Sequence, residues 1–213
     1  MHKLQRGIAP ACLANYQHGR DTWGVFTLDD KTDIWNGLEA MQGPLCAYCE
    51  AAISNGKKHI EHFRQKGRDP TVTFLWSNLF GSCNREESCG KHKDNRCDVY
   101  PPAVLIKPDV EDPEHYFIFA PNGSISPRKN LSPADHHRAA ETIRIFNLDG
   151  TLRQIRFREV AGYVQTAEEF AEMANEFPEA DWLPLLQQEL AATAQLPFAT
   201  AIKHVLTRQS PHP

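Results

Sequence analysis

The 213-residue sequence predicts an α+β domain, mainly helical, in which a small β region is held by a structural metal site. Five of the six cysteines lie within residues 46–97, a density typical of a metal centre where thiols stay reduced. Outside that stretch, apolar residues recur mostly at helical spacing. A chain of this length suits one compact core, or a core that carries a helical extension.

The N-terminal part, residues 1–44, predicts a helical segment that packs on the core. Residues 11–18 predict a short helix. Ile34 and Leu38 then share one face of a second helix with Met41, and Gly43 ends it.

Residues 45–100 predict the β region and the metal site. Residues 45–63 predict two short strands around a turn at Asn55, because Asn followed by Gly is a strong hairpin signal. A helix that contains Trp76 and Phe80 is predicted next, followed by an irregular cysteine-rich loop.

Residues 101–213 predict a mostly helical region suited to docking a partner. A strand within residues 115–120 is expected to turn back at Gly123. Serine at position 132, followed by proline, is a start signal for a helix to about residue 146. Three further helices are predicted, over residues 152–160, 167–176 and 182–194.

Composition and charge limit the function classes. No run approaches the roughly 18 apolar residues that cross a bilayer, and the first residues lead into no signal-peptide core. We therefore expect a cytoplasmic protein with no membrane contact. The formal net charge of −4 argues against coating nucleic acid by bulk attraction. Residues 55–98 nevertheless carry nine basic and six acidic residues, whereas residues 151–213 carry five basic and eight acidic residues. A polyanion is therefore expected to dock on the middle of the chain.

Two cysteine pairs predict a zinc site. Cys46 and Cys49 form a C-x-x-C turn, and Cys83 and Cys89 supply a second pair. Four thiolates at about 2.3 Å from Zn²⁺ make a closed, tetrahedral structural site that would offset the small core of this region. A redox-active C-x-x-C is the alternative, but it needs a βαβ context that the region lacks. Cys97 is an alternative to Cys89 as the fourth ligand.

Between the cysteine pairs, Glu61 and His62 follow one another where a strand is expected to end. Side chains within a strand alternate faces, but at its end both can serve one site. The carboxylate would hold a hard divalent cation, and the imidazole would take a proton from water. Exposed polar residues on a solvated strand are the plainer alternative, which the flanking cysteine pairs weaken.

The order of these motifs resembles the HNH endonuclease family. Its pattern is C-x-x-C, an acid followed by histidine, Asn-Leu, and a second cysteine pair with a nearby lysine. The matching residues of this chain are Cys46, Cys49, Glu61, His62, Asn78, Leu79, Cys83, Cys89 and Lys93. The match spans residues 46–93. The resemblance implies a ββα-metal core with a structural zinc site and flanking helices.

Nearly the whole chain also resembles the PtuB-type HNH nucleases of Septu anti-phage systems, which also occur as retron effectors. The supporting segments are residues 10–13, 61–64, 76–79 and 142–148. This resemblance implies a PtuA-type ATPase as partner and, in a retron, a reverse transcriptase with its msDNA. The acidic C-terminal region would be the docking surface.

The resemblance also implies a role for each matching residue. His62 falls on the general base of the family, and Glu61 falls on its acidic metal ligand. Asn78 falls on the middle asparagine, which braces the loop and orients the histidine.

Two positions depart from the family pattern. The family often places His or Asn directly after the last cysteine, where this chain has Gly90. His92 is our substitute as the second ligand of the catalytic metal, with Asn84 and Asp94 as alternatives. Gln65 stands where related sequences often carry proline, a change that affects loop rigidity more than chemistry.

The implied reaction is phosphodiester hydrolysis with one catalytic Mg²⁺ or Mn²⁺, held by Glu61 and His92. His62 would deprotonate the attacking water, and for this its pKa should stay close to that of free imidazole. Four nearby basic residues would hold backbone phosphates of DNA or RNA: Lys57, Lys58, Arg64 and Lys66. The alternative function is a non-enzymatic zinc-ribbon module that binds nucleic acid or protein and needs no second cation.

Overall fold

The structure is a computed structural model that describes residues 1–54 and 56–208. Within these residues, helices predominate over a few short strands. In chain order the elements are α1 (Leu28–Gln42), β1 (Lys58–His62), β2 (Leu79–Cys83), α2 (Cys89–Asn95), β3 (Phe117–Phe119), β4 (Ile125–Pro127), α3 (Pro133–Ile145), α4 (Thr151–Val160), α5 (Val164–Glu176), α6 (Glu179–Thr193) and α7 (Ala199–Leu206). This mixture of helices and small sheets confirms the predicted α+β class. No helix in the described part of the chain is long and apolar enough to cross a bilayer.

The strands form two separate antiparallel pairs. β1 pairs with β2 from Lys58 opposite Cys83 to His62 opposite Leu79. β3 and β4 form the second pair. Helix α2 begins a few residues after β2 and packs against it. The cysteine-rich region therefore consists of two strands and one short helix.

Helix α1 rests directly on β2. A capping box begins the helix, in which the Thr27 hydroxyl accepts from the Asp30 N–H at 3.1 Å and the Asp30 carboxylate accepts from the Thr27 N–H at 2.9 Å. At its other end, the Gln42 amide donates to the Gly81 carbonyl at 2.8 Å and accepts from the Gly81 N–H at 2.9 Å. A Cβ at Gly81 would lie 2.7 Å from Gln42 Nε2, so this close approach requires glycine.

The hairpin predicted within residues 45–63 is wrong. β1 pairs with β2 instead of with a strand earlier in the chain. Among the described residues before β1, the β pairing is a single isolated bridge between Leu45 and Ala52. Asn55, at the predicted turn, lies outside the described residues.

The helix predicted through Trp76 and Phe80 is also wrong. Trp76–Asn78 is a single 3₁₀ turn, and β2 begins at Leu79. All five residues of β2 are buried. A short apolar run buried on both faces has no period that separates a strand from a helix, which is the physical reason for the error.

The C-terminal region follows the predictions more closely. β3 and β4 flank a turn at Gly123, whose φ of +77° is one that glycine adopts readily. The Ser132 hydroxyl caps α3 by accepting from the Asp135 N–H at 3.1 Å. Helices α4, α5 and α6 occupy the three further predicted helices, with α5 and α6 beginning three residues early. Helix α2 lies where the residue pattern predicted an irregular cysteine-rich loop, and α7 was not predicted.

One apolar core connects the cysteine region to the C-terminal helices. The ring of Tyr48 stacks on Phe146 with 4.2 Å between centroids, and the Cys89 N–H donates to the Phe146 carbonyl at 2.7 Å. The buried Glu50 carboxylate accepts from the Thr200 N–H at 2.9 Å and from its hydroxyl at 2.6 Å, at the start of α7. The small sheet is therefore held in place by residues from distant parts of the chain.

Candidate metal centre and hydrolytic site

Four buried cysteines meet beside the small sheet. The four sulfur atoms all lie within 4.8 Å of one another, and they belong to Cys46, Cys49, Cys83 and Cys89. Sulfurs bound to one Zn²⁺ at about 2.3 Å are separated by roughly 3.8 Å in a tetrahedral site. The cluster could therefore hold a metal ion such as zinc after small adjustments.

Three local structures bring these sulfurs together. The Cys46 carbonyl accepts from the Glu50 N–H at 2.9 Å, which closes the first turn, and the Ala47 N–H anchors the turn to a β2 carbonyl at 3.0 Å. Cys83 is the last residue of β2. Cys89 is the first residue of α2. A turn, a strand end and a helix start thus supply the four sulfurs.

The thiols of Cys46, Cys49 and Cys89 shift one another's pKa. Burial by itself raises the pKa of Cys46, but hydrogen bonds with Cys49, Cys83 and Cys89 hold this pKa well below its usual value. The hydrogen bond with Cys46 is the main cause that raises the pKa of Cys49. The cluster therefore already stabilises one thiolate, the form in which cysteine binds metal.

His62 is the last residue of β1, and a hydrogen bond orients its imidazole ring. Its Nε2 lies 3.1 Å from the Thr73 carbonyl oxygen, so Nε2 carries the proton and Nδ1 keeps its lone pair. The ring of Trp23 packs edge-on against the imidazole, with 4.4 Å between centroids. The residue is 3% exposed. The imidazole is therefore oriented by one neighbour and shielded by another.

The expectation that His62 titrates near free imidazole is wrong. Burial and, to a smaller extent, the positive charge of Lys66 lower the pKa of His62 to about 4. The reason is burial of the imidazole, to which the packing of Trp23 contributes and which the sequence did not reveal. At pH 7 the imidazole is neutral and can accept a proton, although a lower pKa makes it a weaker base.

Glu61 is buried, and its two oxygens have different neighbours. Oε1 lies 2.7 Å from Nζ of Lys93, at ion-pair distance but out of hydrogen-bond alignment, and Oε2 lies 3.2 Å from Nε2 of His59. Burial by itself raises the pKa of Glu61, but Lys93 and then His59 hold this pKa below its usual value. The carboxylate is therefore ionised at neutral pH. Asp94, one of the alternative metal ligands, pairs with Lys93.

Asn78 holds the loop that follows β1. Its Oδ1 accepts from the Arg64 N–H at 2.7 Å, and its Nδ2 donates to the carbonyls of Arg64 at 3.0 Å and Val72 at 3.2 Å. His62 precedes this loop and Thr73 lies within it. Asn78 therefore stabilises the backbone in which the imidazole is oriented.

The contacts of His92 in the structure are with residues other than Glu61. Nδ1 of His92 lies 2.9 Å from the Ile145 carbonyl oxygen and 3.6 Å from the sulfur of Cys97. Within the described residues, no hydrogen bond or ion pair joins His92 to Glu61. A shared cation site of these two residues stays a prediction. Cys97 itself lies outside the four-cysteine cluster.

Gly90 leaves room for the carboxylate of Glu61. A Cβ at position 90 would lie 2.2 Å from Oε2 of Glu61, so this carboxylate fills the space beside the last cysteine. Asn84, another alternative ligand, contacts His59 through its Oδ1 at 2.9 Å. It is thus linked to Glu61 through His59.

The four predicted phosphate-binding residues lie in different settings. Lys57 is exposed and lines a cavity of about 280 Å³. Lys58 is engaged by a glutamate of α1 at 2.5 Å. Arg64 forms an ion pair within its own loop, whereas Lys66 is exposed. Among the described residues, Lys57 and Lys66 form no ion pair, which leaves them accessible to a polyanion.

Three residues at the site were not predicted. His59 could have been found, because strand alternation places it on the same face as Glu61. Arg85 lines the cavity beside Lys57, but a single basic residue in an irregular loop gives no signal. The contact of Trp23 with the histidine depends on tertiary packing and has no local pattern.

The chain is similar to one protein named as a putative HNH endonuclease and to one named as a Septu protein. It is 32% identical over 127 residues to "Retron Vc95 putative HNH endonuclease" of Vibrio cholerae serotype O1 biovar El Tor, covering 56% of this chain and 58% of that relative. It is 27% identical over 193 residues to Septu protein PtuB of Bacillus thuringiensis, covering 83% of this chain and 66% of that relative. The matches therefore span less than two thirds of either relative. No protein-family profile matches the chain. The two relatives confirm the resemblance predicted from the motifs.

Proposed function

We propose that this chain is a metal-dependent endonuclease of the HNH type, which hydrolyses phosphodiester bonds in nucleic acid. One observation carries the proposal. The ionised Glu61 is followed at the end of β1 by His62, whose imidazole is fixed through Nε2 and keeps the Nδ1 lone pair. The four-cysteine cluster beside the same sheet and the names of the two relatives support it.

In this proposal, β1, β2 and α2 form the ββα-metal core of the family. The core lies within residues 45–100, between an N-terminal helical segment of residues 1–44 and a C-terminal region of residues 101–213. Helix α2 packs against both β2 and α3, which supports its assignment as the helix of the core.

The reaction begins with proton transfer to His62. Its Nδ1 accepts a proton from the water that attacks phosphorus, and the P–O bond to the leaving sugar oxygen breaks as the new bond forms. The leaving oxygen then takes a proton from solvent. The Thr73 carbonyl keeps Nε2 protonated and the ring oriented, and Asn78 holds the loop that carries Thr73. Trp23 shields one side of the imidazole, so the attacking water would have to approach from another side.

Two kinds of metal fit the residues. The donor set of four cysteines suits a structural Zn²⁺ at Cys46, Cys49, Cys83 and Cys89. A carboxylate such as Glu61 suits Mg²⁺ or Mn²⁺, and its Oε2 is the oxygen that does not face the Lys93 ammonium. When bound, this second cation would stabilise the negative charge that develops on the phosphate.

The nucleic acid would be held by its backbone. Lys57 precedes β1 and Lys66 follows it, both are exposed, and Arg85 lines the same cavity as Lys57. Contacts of this kind neutralise phosphates without reading bases, so binding to DNA or RNA would weaken as salt rises.

We place this nuclease in an anti-phage defence complex with a PtuA-type ATPase and, in a retron, with a reverse transcriptase and its msDNA. The names of the relatives, a retron protein and a Septu protein, support this context. Residues 164–198 hold seven acidic residues and no basic residue. The docking surface of a partner that binds there would therefore be basic.

A zinc-ribbon module without catalysis is the second candidate, and the burial of Glu61 favours it. A carboxylate that is 1% exposed and paired with Lys93 could serve the fold alone. This candidate predicts zinc binding and nucleic-acid or protein binding, but no cleavage.

The experiment is a cleavage assay on DNA and on RNA with Mg²⁺, Mn²⁺ or chelator, with and without the ATPase. We expect His62→Ala to lose at least about 100-fold in rate, because general-base catalysis contributes that much. His136→Ala is the matched control, since His136 is exposed on α3 and should cut normally. Zinc content and circular dichroism verify folding. A His62→Ala protein that cuts at the normal rate refutes the assignment, and a wild type that never cuts favours the zinc ribbon.

A further inference from the structure

His59 and Glu61 present a nitrogen and an oxygen to one another. The two residues share a face of β1, because side chains two positions apart in a strand point the same way. Nε2 of His59 lies 3.2 Å from Oε2 of Glu61. Neighbouring ligands of an octahedral cation with bonds of about 2.1 Å are about 3 Å apart. The two atoms are therefore spaced as adjacent ligands of one cation.

Asn84 sets the tautomer of His59. Nδ2 of Asn84 donates to the Gly56 carbonyl at 3.3 Å, which leaves its Oδ1 to face Nδ1 of His59 at 2.9 Å. Nδ1 of His59 is then a donor, so that when a cation replaces the hydrogen bond between Nε2 and Oε2, Nε2 can present its lone pair to that cation. Histidines that bind metals are commonly oriented through such a bond from the other nitrogen.

The carboxylate of Glu61 divides its oxygens between Lys93 and this site. Lys93 compensates the charge at Oε1, while Oε2 faces His59. The absence of a side chain at Gly90 is what allows the carboxylate to lie here, since a Cβ would meet Oε2 at 2.2 Å. Glycine at position 90 lacks the metal-binding side chain that the family often has there. It also leaves the space in which the Glu61 carboxylate lies beside His59.

We propose that His59, rather than His92, joins Glu61 in holding the catalytic divalent cation, with Asn84 as the residue that orients the histidine. The inference rests on the proposed nuclease function and names the ligands of its cation. The His59 side chain is 24% exposed, so water and a phosphate oxygen can complete the coordination from the solvent side. Asn84 also lines the cavity that contains Lys57 and Arg85, where the phosphate would lie.

Mn²⁺ is the probe for this site, because electron paramagnetic resonance detects its binding without any reaction. The full-length, zinc-loaded chain is titrated with Mn²⁺, and electron spin echo modulation reports whether a ligand nitrogen is bound. His59→Gln and His92→Gln are matched variants. We expect His92→Gln to bind Mn²⁺ as the wild type does, with the nitrogen modulation. We expect His59→Gln to bind at least about tenfold more weakly and to lose the modulation.

Asn84→Ala keeps the test informative if His59→Gln fails to fold. Asn84 is exposed, so its truncation should leave the fold intact while it weakens Mn²⁺ binding by about tenfold through loss of ring orientation. Zinc content and thermal unfolding are measured on every variant.

Two results overturn the proposal. If the nitrogen modulation disappears in His92→Gln and persists in His59→Gln, the ligand is His92. If the wild type binds no Mn²⁺, His59 and Glu61 form only an ion pair. Cleavage assays on the same proteins separate the two proposals. If the protein binds Mn²⁺ through His59 but never cuts nucleic acid, the nuclease proposal is refuted and the cation site stands. If the protein cuts nucleic acid and the rate does not depend on His59, the cation site is refuted and the nuclease proposal stands.

Discussion

Nζ of Lys93 lies 2.7 Å from Oε1 of Glu61, and these two side chains are 0% and 1% exposed. Removing one partner of a buried ion pair leaves the other charge uncompensated, at a cost of about 3–5 kcal/mol. We therefore expect Lys93→Met to lower the free energy of unfolding by that amount. Urea unfolding of the zinc-loaded protein measures it.

Two further variants control for this effect. The double variant Glu61→Gln with Lys93→Met should recover most of the loss, because it removes both charges. Lys91→Met should cost less than about 1 kcal/mol, since Lys91 pairs at 3.2 Å with the exposed Glu86. A Lys93→Met protein as stable as the wild type would mean that Glu61 is not a buried charge.

Loss of one cysteine from the cluster should abolish cooperative folding of the small sheet. We expect one zinc per chain in the wild type, and loss of both the zinc and the sharp thermal transition in Cys49→Ser, because metal binding and folding are linked. Elemental analysis and calorimetry measure these. Cys97→Ser is the matched control, since its sulfur lies outside the cluster, and it should keep the zinc. Full zinc occupancy in Cys49→Ser would contradict the four-cysteine site.

A methyl group at Gly90 should displace the carboxylate of Glu61. The added Cβ would lie 2.2 Å from Oε2 and 2.5 Å from Cδ, both near the end of a flexible side chain. We expect Gly90→Ala to fold with a loss of about 1–3 kcal/mol, but to bind Mn²⁺ at least about tenfold more weakly. Gly67→Ala is the control, because a Cβ there meets nothing within 4 Å. Normal Mn²⁺ affinity in Gly90→Ala would show that the position of Oε2 is unimportant.

Burial of His62 should make stability depend on pH. Burial lowers the pKa of His62 from 6.5 to about 4, so between these values the unfolded chain binds more protons than the folded chain. The contribution of the neutral His62 to the free energy of unfolding is therefore complete above pH 6.5. This contribution decreases as the pH falls toward 4, and the loss is roughly 2–3 kcal/mol at about pH 4.5. The stability difference between the wild type and His62→Gln should shrink by this amount on acidification. A difference that stays constant with pH would show that folding does not bury the imidazole.

Residue type and spacing allowed the four-cysteine cluster to be predicted, because a metal site depends on a few side chains whatever structure connects them. Helices α1 and α3 were predictable for a different reason. Each combines one-sided apolar spacing with a local cap, at Thr27 and at Ser132. Such signals lie within a single turn of chain.

The pairing of β1 with β2 and the surroundings of the histidine could not be predicted in the same way. β2 is buried on both faces, so its sequence has no alternation to read. The neighbours of His62 and His92 come from elsewhere in the chain: Trp23 contacts the first, and Ile145 contacts the second. These contacts depend on tertiary packing and give no signal in the local sequence.

The bond between Glu50 and Thr200 has a practical consequence for work with truncated proteins. Glu50 directly follows Cys49, and its carboxylate accepts two hydrogen bonds from the first turn of α7. A fragment that stops before α7 would leave this carboxylate without those donors beside the thiol turn. A fragment limited to the cysteine region is therefore a poor substitute for the full chain in binding and cleavage assays. A partner that displaced α7 would disturb Glu50, which is the residue next to Cys49.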